Sequence, residues 1–193
     1  ARSISVMIKD AGKVLIQVLD DGEGMSDEDA LLAFRRHATS KIATAEDLEN
    51  IRTLGFRGEA LASLGAVAQV EMKTRTAQQD VGTLVRVEGD EVKVHGAVAC
   101  ERGTVISVKN LFFNTPARRN FLKSQQTERK NVTDVVTRMA LAYPEVAWKY
   151  ISDDETILDL RPKQIEDRLK DVIGVKQFGQ LLHVDEKTDF LSL

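Results

Sequence analysis

The start of the chain alternates between apolar and polar side chains, and two apolar segments flank a turn. Residues 3–9 place every second side chain on an apolar face, which is the period of a half-buried strand. Residues 14–19 are more continuously apolar, and the Asp-Ala-Gly-Lys stretch at 10–13 has the chemistry of a turn. The pattern therefore predicts a β-hairpin that runs into a polar, glycine-containing segment.

Helical and extended patterns follow one another along the rest of the chain. Helices are predicted after the N-cap Ser26, after Pro116, and over 46–51, 58–66, 132–140 and 163–173. Strands are predicted over 67–76, 83–88, 91–98, 104–109, 146–150 and 156–160, with connections too short for parallel crossovers. These elements predict an α+β fold, in which a sheet is layered with helices. A last apolar stretch, 178–184, predicts a strand without a partner, which places a domain boundary at 171–174.

The composition is that of an ordinary globular domain. The 193 residues are 42% hydrophobic and 30% charged, which excludes disordered and collagen-like classes. One cysteine and three widely separated histidines exclude an internal disulfide and a structural zinc site. A net charge of -3 argues against a protein that coats nucleic acid through bulk charge, and no apolar run is long enough to predict a membrane span.

The first candidate for ligand chemistry is Asp20-x-Gly22-x-Gly24, at the end of the second predicted strand. A carboxylate there can accept hydrogen bonds from an exocyclic amine, and glycines allow a flat base to approach the backbone. A solvated turn after a strand explains the same residues, so the motif alone leaves both interpretations open.

Two further segments have the chemistry of a phosphate site. Residues 54–61 lead directly into a predicted helix, where backbone N–H groups and the helix dipole favour an anion. Residues 35–42 combine cations with hydroxyls in an aperiodic stretch that suits a mobile lid. An ordinary loop with a glycine N-cap and a polar loop with solvated charges are the alternatives. His37 has no nameable carboxylate or nucleophile as a partner, so we interpret it as a structural or surface histidine.

A fourth segment begins at Gly103-Thr104 and continues through 110–119. Three cations cluster near its end and could contact nucleic acid or an acidic surface, although a solvated face explains them equally well: Arg118, Arg119 and Lys123. The nearby aromatic residues are expected in the core: Phe112, Phe113 and Phe121. Cys100 is interpreted as a packing residue.

In their order and spacing, these segments resemble the MutL family of DNA mismatch-repair proteins. The matching stretches are 20–25, 36–42, 55–61 and 111–119. The first is shared with the wider GHKL ATPases, whereas the second and third are close to diagnostic for MutL. The resemblance implies that residues 1–172 form a GHKL (Bergerat-fold) ATPase domain, a two-layer sandwich of helices and a mixed, largely antiparallel sheet. Residues 173–193 would begin a transducer domain of the ribosomal-protein-S5-like type.

The resemblance also implies that ATP and Mg2+ bind between the sheet and a lid. Asp20 would bind the adenine amino group, Gly22 and Gly24 would form the loop beside the base, and Thr104 would support the adenine end. The lid would contain Thr39, Ser40 and Lys41. The triphosphate would be wrapped by Gly55, Phe56, Arg57, Gly58, Glu59, Ala60 and Leu61.

The first motif of the family has no counterpart in the 193 residues. That motif carries a general-base Glu and a Mg2+-binding Asn. We therefore expect no catalytic residue and no metal ligand in this segment, no ATP hydrolysis by the segment alone, and weakened nucleotide binding. Because the chain has neither an initiator Met nor a signal peptide at its start, we expect that it begins inside a longer protein.

For function, the resemblance implies a switch. In the family, ATP binding closes the N-terminal domains into a homodimer or related heterodimer, and slow hydrolysis reopens it. This switch would couple mismatch recognition by a MutS-type protein to strand cleavage, with weak DNA binding through the parent protein and a bacterial, cytoplasmic location rather than a nuclear one. The alternative is a non-catalytic DNA- or partner-binding domain that uses the Arg118/Arg119 surface. A topoisomerase or chaperone relative is set aside because it would lack Gly-Phe-Arg-Gly-Glu-Ala-Leu.

Overall fold

A computed structural model describes residues 1–35 and 59–182 of the chain. Eight strands occur in these ranges: β1 (Ser3–Lys9), β2 (Leu15–Asp20), β3 (Gln69–Arg75), β4 (Gly82–Glu88), β5 (Glu91–Val98), β6 (Gly103–Lys109), β7 (Ala147–Ser152) and β8 (Glu155–Leu160). The α-helices of the same ranges are α1 (Asp27–Leu32), α2 (Ala60–Val67), α3 (Pro116–Asn120), α4 (Gln125–Ala142), α5 (Ile165–Ile173) and α6 (Val175–Phe178).

The eight strands form one sheet with the order β5-β4-β3-β6-β2-β1-β7-β8. Neighbouring strands are antiparallel except β1 and β7, which are parallel. The predicted N-terminal hairpin, the antiparallel run of β3 to β6 and the closing β7–β8 hairpin are confirmed. β6 lies between β3 and β2 instead of beside β5, and this placement brings the ends of three central strands together.

The long helix α4 covers the side of the sheet that contains β1, β7 and β8, and it completes the main core there. Buried side chains of this core come from β1, α4, β7, β8 and the residue before β7: Val6, Ile8, Val136, Ala140, Val146, Trp148, Tyr150 and Leu160. The predicted apolar face of α4 is confirmed for Val132, Val136, Met139 and Ala140, which pack in or against this core. Val135 was expected on the same face but is 59% exposed.

Two smaller core clusters lie over β3 and β4, on the same face of the sheet. Their buried residues are Ala30, Met72, Val85 and Val87 in one, and Ala68, Val70 and Val108 in the other. α1 and α2 cover these clusters, and Leu61 and Leu64 of α2 pack against them. The structure therefore has two layers, a sheet and a set of helices, as the sequence predicts.

The predicted helix ends agree with the observed ones where local chemistry determines them. Ser26 is the N-cap of α1, and its hydroxyl accepts a hydrogen bond from the Asp29 N–H at 3.1 Å. Pro116 occupies the first turn of α3. α4 ends at Ala142, two residues before Pro144, because proline cannot continue the hydrogen-bond ladder of a helix.

Two further expectations are wrong. The strand predicted over 178–184 is absent from its described part, because Phe178 ends helix α6 and a turn follows it. Two phenylalanines that were expected in the core lie at the surface: Phe113 is 36% exposed and Phe121 is 86% exposed. The short helix predicted over 46–51 lies outside the described residues, and the boundary at 172/173 stays a prediction.

Candidate nucleotide site at the ends of the central strands

Three side chains from three strands meet at one end of the sheet. The β2–β6 ladder pairs Asp20 with Thr104, and the β3–β6 ladder pairs Thr104 with Thr74. Directly paired residues of a ladder point to the same face, so the three side chains form a row. Met72 lies two residues before Thr74 on β3 and is fully buried in the helix-covered core, which places the row on that face.

The Asp20 carboxylate is half-buried and partly committed to its own loop. Its Oδ1 accepts a hydrogen bond from the Gly22 N–H at 2.8 Å. The Gly22 carbonyl in turn accepts one from Arg102 Nε at 3.0 Å, which holds the loop against the connection before β6. None of the described residues donates a hydrogen bond to Oδ2, so this oxygen can accept a hydrogen bond from a ligand.

Two glycines permit the close backbone contacts that shape this end of the sheet. Gly24 has φ +73°, and a Cβ on it would lie 2.1 Å from the Arg75 carbonyl oxygen. Gly103 has φ +115°, and a Cβ there would lie 2.0 Å from the Asp20 carbonyl oxygen. Both positions therefore exclude any side chain, for reasons of backbone angle and of space. The glycine loop, residues 21–25, packs backbone to backbone against the strands that carry Thr74 and Thr104.

Thr74 also belongs to this site, although none of the sequence motifs includes it. Its side chain is 0% exposed, and its hydroxyl contacts the Met25 N–H, the Gly103 carbonyl and the Thr104 hydroxyl. A signal existed in the alternation of β3, where Val70 and Met72 precede Thr74 on one face. A polar residue at the end of an otherwise apolar face indicates a buried hydrogen-bond partner.

Helix α1 follows the glycine loop and is fastened at its first residue. The Asp27 Oδ1 accepts hydrogen bonds from His95 Nε2 at 2.8 Å and from Thr83 Oγ1 at 3.0 Å. The hydrogen bond from His95, followed by that from Thr83, holds the pKa of Asp27 below its ordinary value. These contacts connect α1 to β4 and β5, and they determine where the chain goes after the loop.

Asp21, the neighbour of Asp20, connects the same loop to the beginning of β1. Its Oδ1 accepts hydrogen bonds from the backbone N–H groups of Arg2 at 2.6 Å and Ser3 at 2.9 Å. The hydrogen bond from Ser3 is the largest effect on this carboxyl group, and the pKa of Asp21 is lowered from its ordinary value of 3.8. The loop is thus fixed on both sides, by Asp21 to β1 and by Arg102 to β6.

We predict that Asp21→Asn lowers the free energy of unfolding at neutral pH by less than about 1 kcal/mol, because the carboxylate is exposed. A depressed folded-state pKa adds stability that is fully present above 3.8 and is lost as the pH falls through the folded value. Urea unfolding of both proteins should therefore show a difference at neutral pH that disappears in strong acid. An equal difference at both pH values would contradict the assignment.

Helix α2 points its N-terminus at the same end of the sheet. Leu61, near the start of the helix, packs in the cluster of Met72, whereas Leu64 packs in the cluster of Val70. α2 therefore runs antiparallel to β3, and its first residues lie toward Thr74. Of the predicted phosphate-binding segment, Glu59, Ala60 and Leu61 are described, with Glu59 as the N-cap. The other predicted residues lie outside the described residues: Thr39, Ser40, Lys41, Gly55, Phe56, Arg57 and Gly58.

The predicted basic cluster lies at the opposite end of the sheet. β6 runs away from Asp20 to Lys109, and the segment after it is tied to the C-terminal end of α2. The Phe112 N–H donates to the Val67 carbonyl at 2.8 Å, and Asn114 Nδ2 donates to the Ala66 carbonyl at 2.8 Å. Exposed residues of and just after α3 then follow: Arg118, Arg119, Phe121 and Lys123.

A group of three or more His, Cys, Asp or Glu side chains that could hold a metal ion is absent from residues 1–35 and 59–182. Mg2+ in nucleotide sites is held by one or two carboxylates together with the phosphates and waters, which is a smaller set of protein ligands. Over the same ranges, no helix is both long and apolar enough to cross a membrane.

The chain is similar to curated bacterial proteins over its whole length. It is 50% identical over 193 residues to the DNA mismatch repair protein MutL of Chlorobium phaeobacteroides (strain BS1), and 49% identical over 193 residues to that of Bacteroides fragilis (strain YCH46). The chain belongs to the MutL family. It covers 31% of the length of each of these relatives, so it corresponds to about a third of a MutL protein. No family model matches the chain.

Solved structures of MutL ATPase domains have the same fold. The Aquifex aeolicus MutL ATPase domain complexed with ADP is 29% identical, with a TM-score of 0.70 over 90% of this chain and 61% of that one. The ATPase domain from the mismatch repair endonuclease Aquifex aeolicus MutL is 28% identical, with a TM-score of 0.65 over 90% of this chain and 57% of that one. The predicted MutL-type α+β fold is thereby confirmed.

Proposed function

We propose that this chain is the ATP-binding module of a MutL-type DNA mismatch-repair protein. The observation that carries the proposal is the row of Asp20 and Thr104 beside the glycine loop, where a half-buried carboxylate has one oxygen that accepts no hydrogen bond from the described residues. The exocyclic amino group of adenine can donate to that oxygen. The similarity to a MutL ATPase domain complexed with ADP supports nucleotide binding by this fold.

The triphosphate, in this proposal, extends from the adenine end toward the N-terminus of α2. Backbone N–H groups of the first helical turn have no partner within the helix, and the helix dipole favours negative charge there. Glu59, Ala60 and Leu61 begin this helix. We propose that the preceding Gly55, Phe56, Arg57 and Gly58 complete the phosphate site, and that Thr39, Ser40 and Lys41 form its lid.

For the longer protein, we propose that ATP binding with Mg2+ and slow hydrolysis act as a dimerisation switch. The switch would couple mismatch recognition by a MutS-type partner to strand cleavage on DNA, in the cytoplasm of a bacterium. Each nucleotide state would stabilise a different association state of the domain. Hydrolysis also needs a general base. We propose nucleotide binding as the role of the residues described above, and we assign none of them as that base.

Calorimetric titration with a non-hydrolysable ATP analogue and Mg2+ tests nucleotide binding directly. We expect saturable binding by the 193-residue chain, and we expect Asp20→Asn to lower the affinity by at least about tenfold, because a charge-assisted hydrogen bond to the base is lost. Asp159→Asn is the matched control, since Asp159 is an exposed aspartate on β8 at the edge of the sheet. Equal affinity of the Asp20→Asn and control variants, or no binding by the folded wild-type chain, would contradict the proposal.

A second function, binding of DNA or a partner protein, is favoured by the exposure of Phe121. This ring is 86% exposed between Arg119 and Lys123, and an aromatic ring among cations can stack on a nucleic-acid base. Charge reversal at Arg118 and Arg119 should weaken DNA binding without changing nucleotide affinity, because the two surfaces lie at opposite ends of the sheet. Fluorescence titration with a DNA oligonucleotide at two salt concentrations measures the DNA affinity. Unchanged DNA affinity in the reversed-charge variant would remove this function.

A further inference from the structure

The buried hydroxyl of Thr74 makes three polar contacts at once. Its Oγ1 lies 2.9 Å from the Met25 backbone nitrogen, 3.0 Å from the Gly103 carbonyl oxygen and 3.0 Å from Thr104 Oγ1. The side chain is 0% exposed, so no water competes for these contacts. All three partners belong to the candidate site: one to the glycine loop and two to the beginning of β6.

A count of protons decides the direction of each hydrogen bond. The Met25 N–H can only donate, and the Gly103 carbonyl can only accept. Thr74 has a single hydroxyl proton, which the contact to the Gly103 carbonyl uses. The Thr104 hydroxyl must therefore donate its own proton to Thr74, because the opposite direction would leave two oxygens 3.0 Å apart without a proton between them.

The consequence appears on the other side of Thr104. With its proton used, the hydroxyl has only lone pairs for a ligand, and the neighbouring Asp20 carboxylate also only accepts. We propose that Thr74 is a positioning residue that makes the Asp20–Thr104 edge an acceptor-only surface, so that the site selects a base with an amino group over one with an oxygen at that position. This inference rests on the proposed nucleotide site and adds to it the group that determines its base preference.

Thr74 has a second role that the test must separate from the first. By accepting from the Met25 N–H, it also holds the residue that follows Gly24 and so fixes the glycine loop. A looser loop would weaken the binding of every nucleotide by a similar factor. A change in the direction of the Thr104 hydrogen bond would instead change the ratio between bases, because a freed Thr104 proton can be donated to an oxygen of the ligand.

The ratio of dissociation constants for non-hydrolysable analogues of ATP and ITP is therefore the decisive measurement, because inosine has an oxygen where adenine has its amino group. We expect the wild-type chain to prefer the ATP analogue by at least about tenfold, since an oxygen would face two acceptors. Thr74→Val, which has no hydroxyl, should reduce this preference by at least about fivefold, whatever happens to the overall affinity. Thr74→Ser, which keeps the hydroxyl, should preserve the preference within about twofold.

Ser107→Ala is the matched control. Ser107 is another buried hydroxyl of β6, but it accepts from Gln17 Nε2 on the opposite face of the sheet, and its loss should leave the preference unchanged. Thr74→Ala gives a second hydroxyl-free protein if the valine variant does not fold, and circular dichroism establishes folding. A folded hydroxyl-free variant with the full wild-type preference overturns the role of Thr74 alone. Equal wild-type affinity for both analogues overturns the acceptor-only edge, and absence of wild-type binding overturns the proposed function itself.

Discussion

Replacing Gly103 by alanine should lower the free energy of unfolding by more than about 3 kcal/mol, which is the largest destabilisation that we expect. The residue has φ +115°, which L-amino acids with a side chain rarely adopt, and a Cβ would lie 2.0 Å from the Asp20 carbonyl oxygen and 2.9 Å from the Asp21 Cα. Both obstacles are backbone, so no side chain can rotate away. Relief requires β2 and β6 to separate at the point where Asp20 and Thr104 pair.

Two other glycines separate strain from steric overlap. Gly89 has φ +60°, and nothing lies within 4 Å of the place that a methyl group would occupy, so Gly89→Ala should cost only about 1–2 kcal/mol for its backbone angle. Gly96, on the edge strand β5, has open space and no positive φ, and Gly96→Ala should change stability by less than about 0.5 kcal/mol. Urea unfolding of the three variants gives the ranking directly. A Gly103→Ala protein as stable as Gly89→Ala would show that the strands can separate without cost.

The second large effect concerns Arg168, a fully buried guanidinium on α5. Its Nη2 lies 2.8 Å from the Pro144 carbonyl oxygen, 2.9 Å from that of Val146 and 2.8 Å from that of Arg161, and the three oxygens share its two protons. These carbonyls belong to the connections before β7 and after β8, so one side chain fastens α5 to both. Burial lowers the pKa of Arg168, which the nearby carboxylates of Asp171 and Glu145 partly oppose.

We expect Arg168→Met to lower the free energy of unfolding by about 3 kcal/mol, because three carbonyl groups lose their donor in a buried place. Arg168→Lys keeps the charge but cannot reproduce the planar donor geometry. The free energy of unfolding of this variant should therefore lie between those of wild type and Arg168→Met. Arg161→Met is the control, since the Arg161 side chain is exposed and only its carbonyl takes part. Urea unfolding with comparison of midpoints and slopes measures the series.

A more stable Arg168→Met protein would contradict this assignment. Nε and Nη1 of Arg168 are buried without a hydrogen-bond partner in the described part of the chain, so its burial also carries a desolvation cost. We expect the hydrogen bonding of Nη2 to the three carbonyl oxygens to outweigh that cost. The lysine variant distinguishes loss of the charge from loss of the geometry.

Local sequence patterns determined most of the secondary structure, because they act through short-range chemistry. Alternation in 3–9, the hydroxyl of Ser26 and the ring of Pro116 each act within a few residues, and all three predictions are confirmed. The order of the motifs also identified the family, which the similarity to MutL proteins confirms. The wrong predictions concern apolar residues whose burial or pairing depends on contacts with distant parts of the chain: Phe121, Val135 and the segment after α6.

The candidate site shows the same division. Asp20 and Gly24 could be named from the Asp-x-Gly-x-Gly motif, and Thr104 from the resemblance to the MutL family. Thr74 could not be assigned a partner, because its role depends on β6 lying beside β3. Periodicity specifies which face of a strand is buried, but every antiparallel neighbour would bury that face equally well.

The sequence by itself therefore determined most of the elements and the α+β class, because helix caps, turn residues and hydrophobic period are properties of neighbouring residues, and its motifs indicated the family by resemblance. The tertiary structure decided the sheet order, which places β6 between β2 and β3 and so aligns Asp20, Thr104 and Thr74 in one row. It also decided that the basic cluster of Arg118 and Arg119 lies at the far end of the sheet. Both outcomes depend on contacts between residues that are distant in the chain. The free energy of such contacts cannot be evaluated from any one local segment of the sequence.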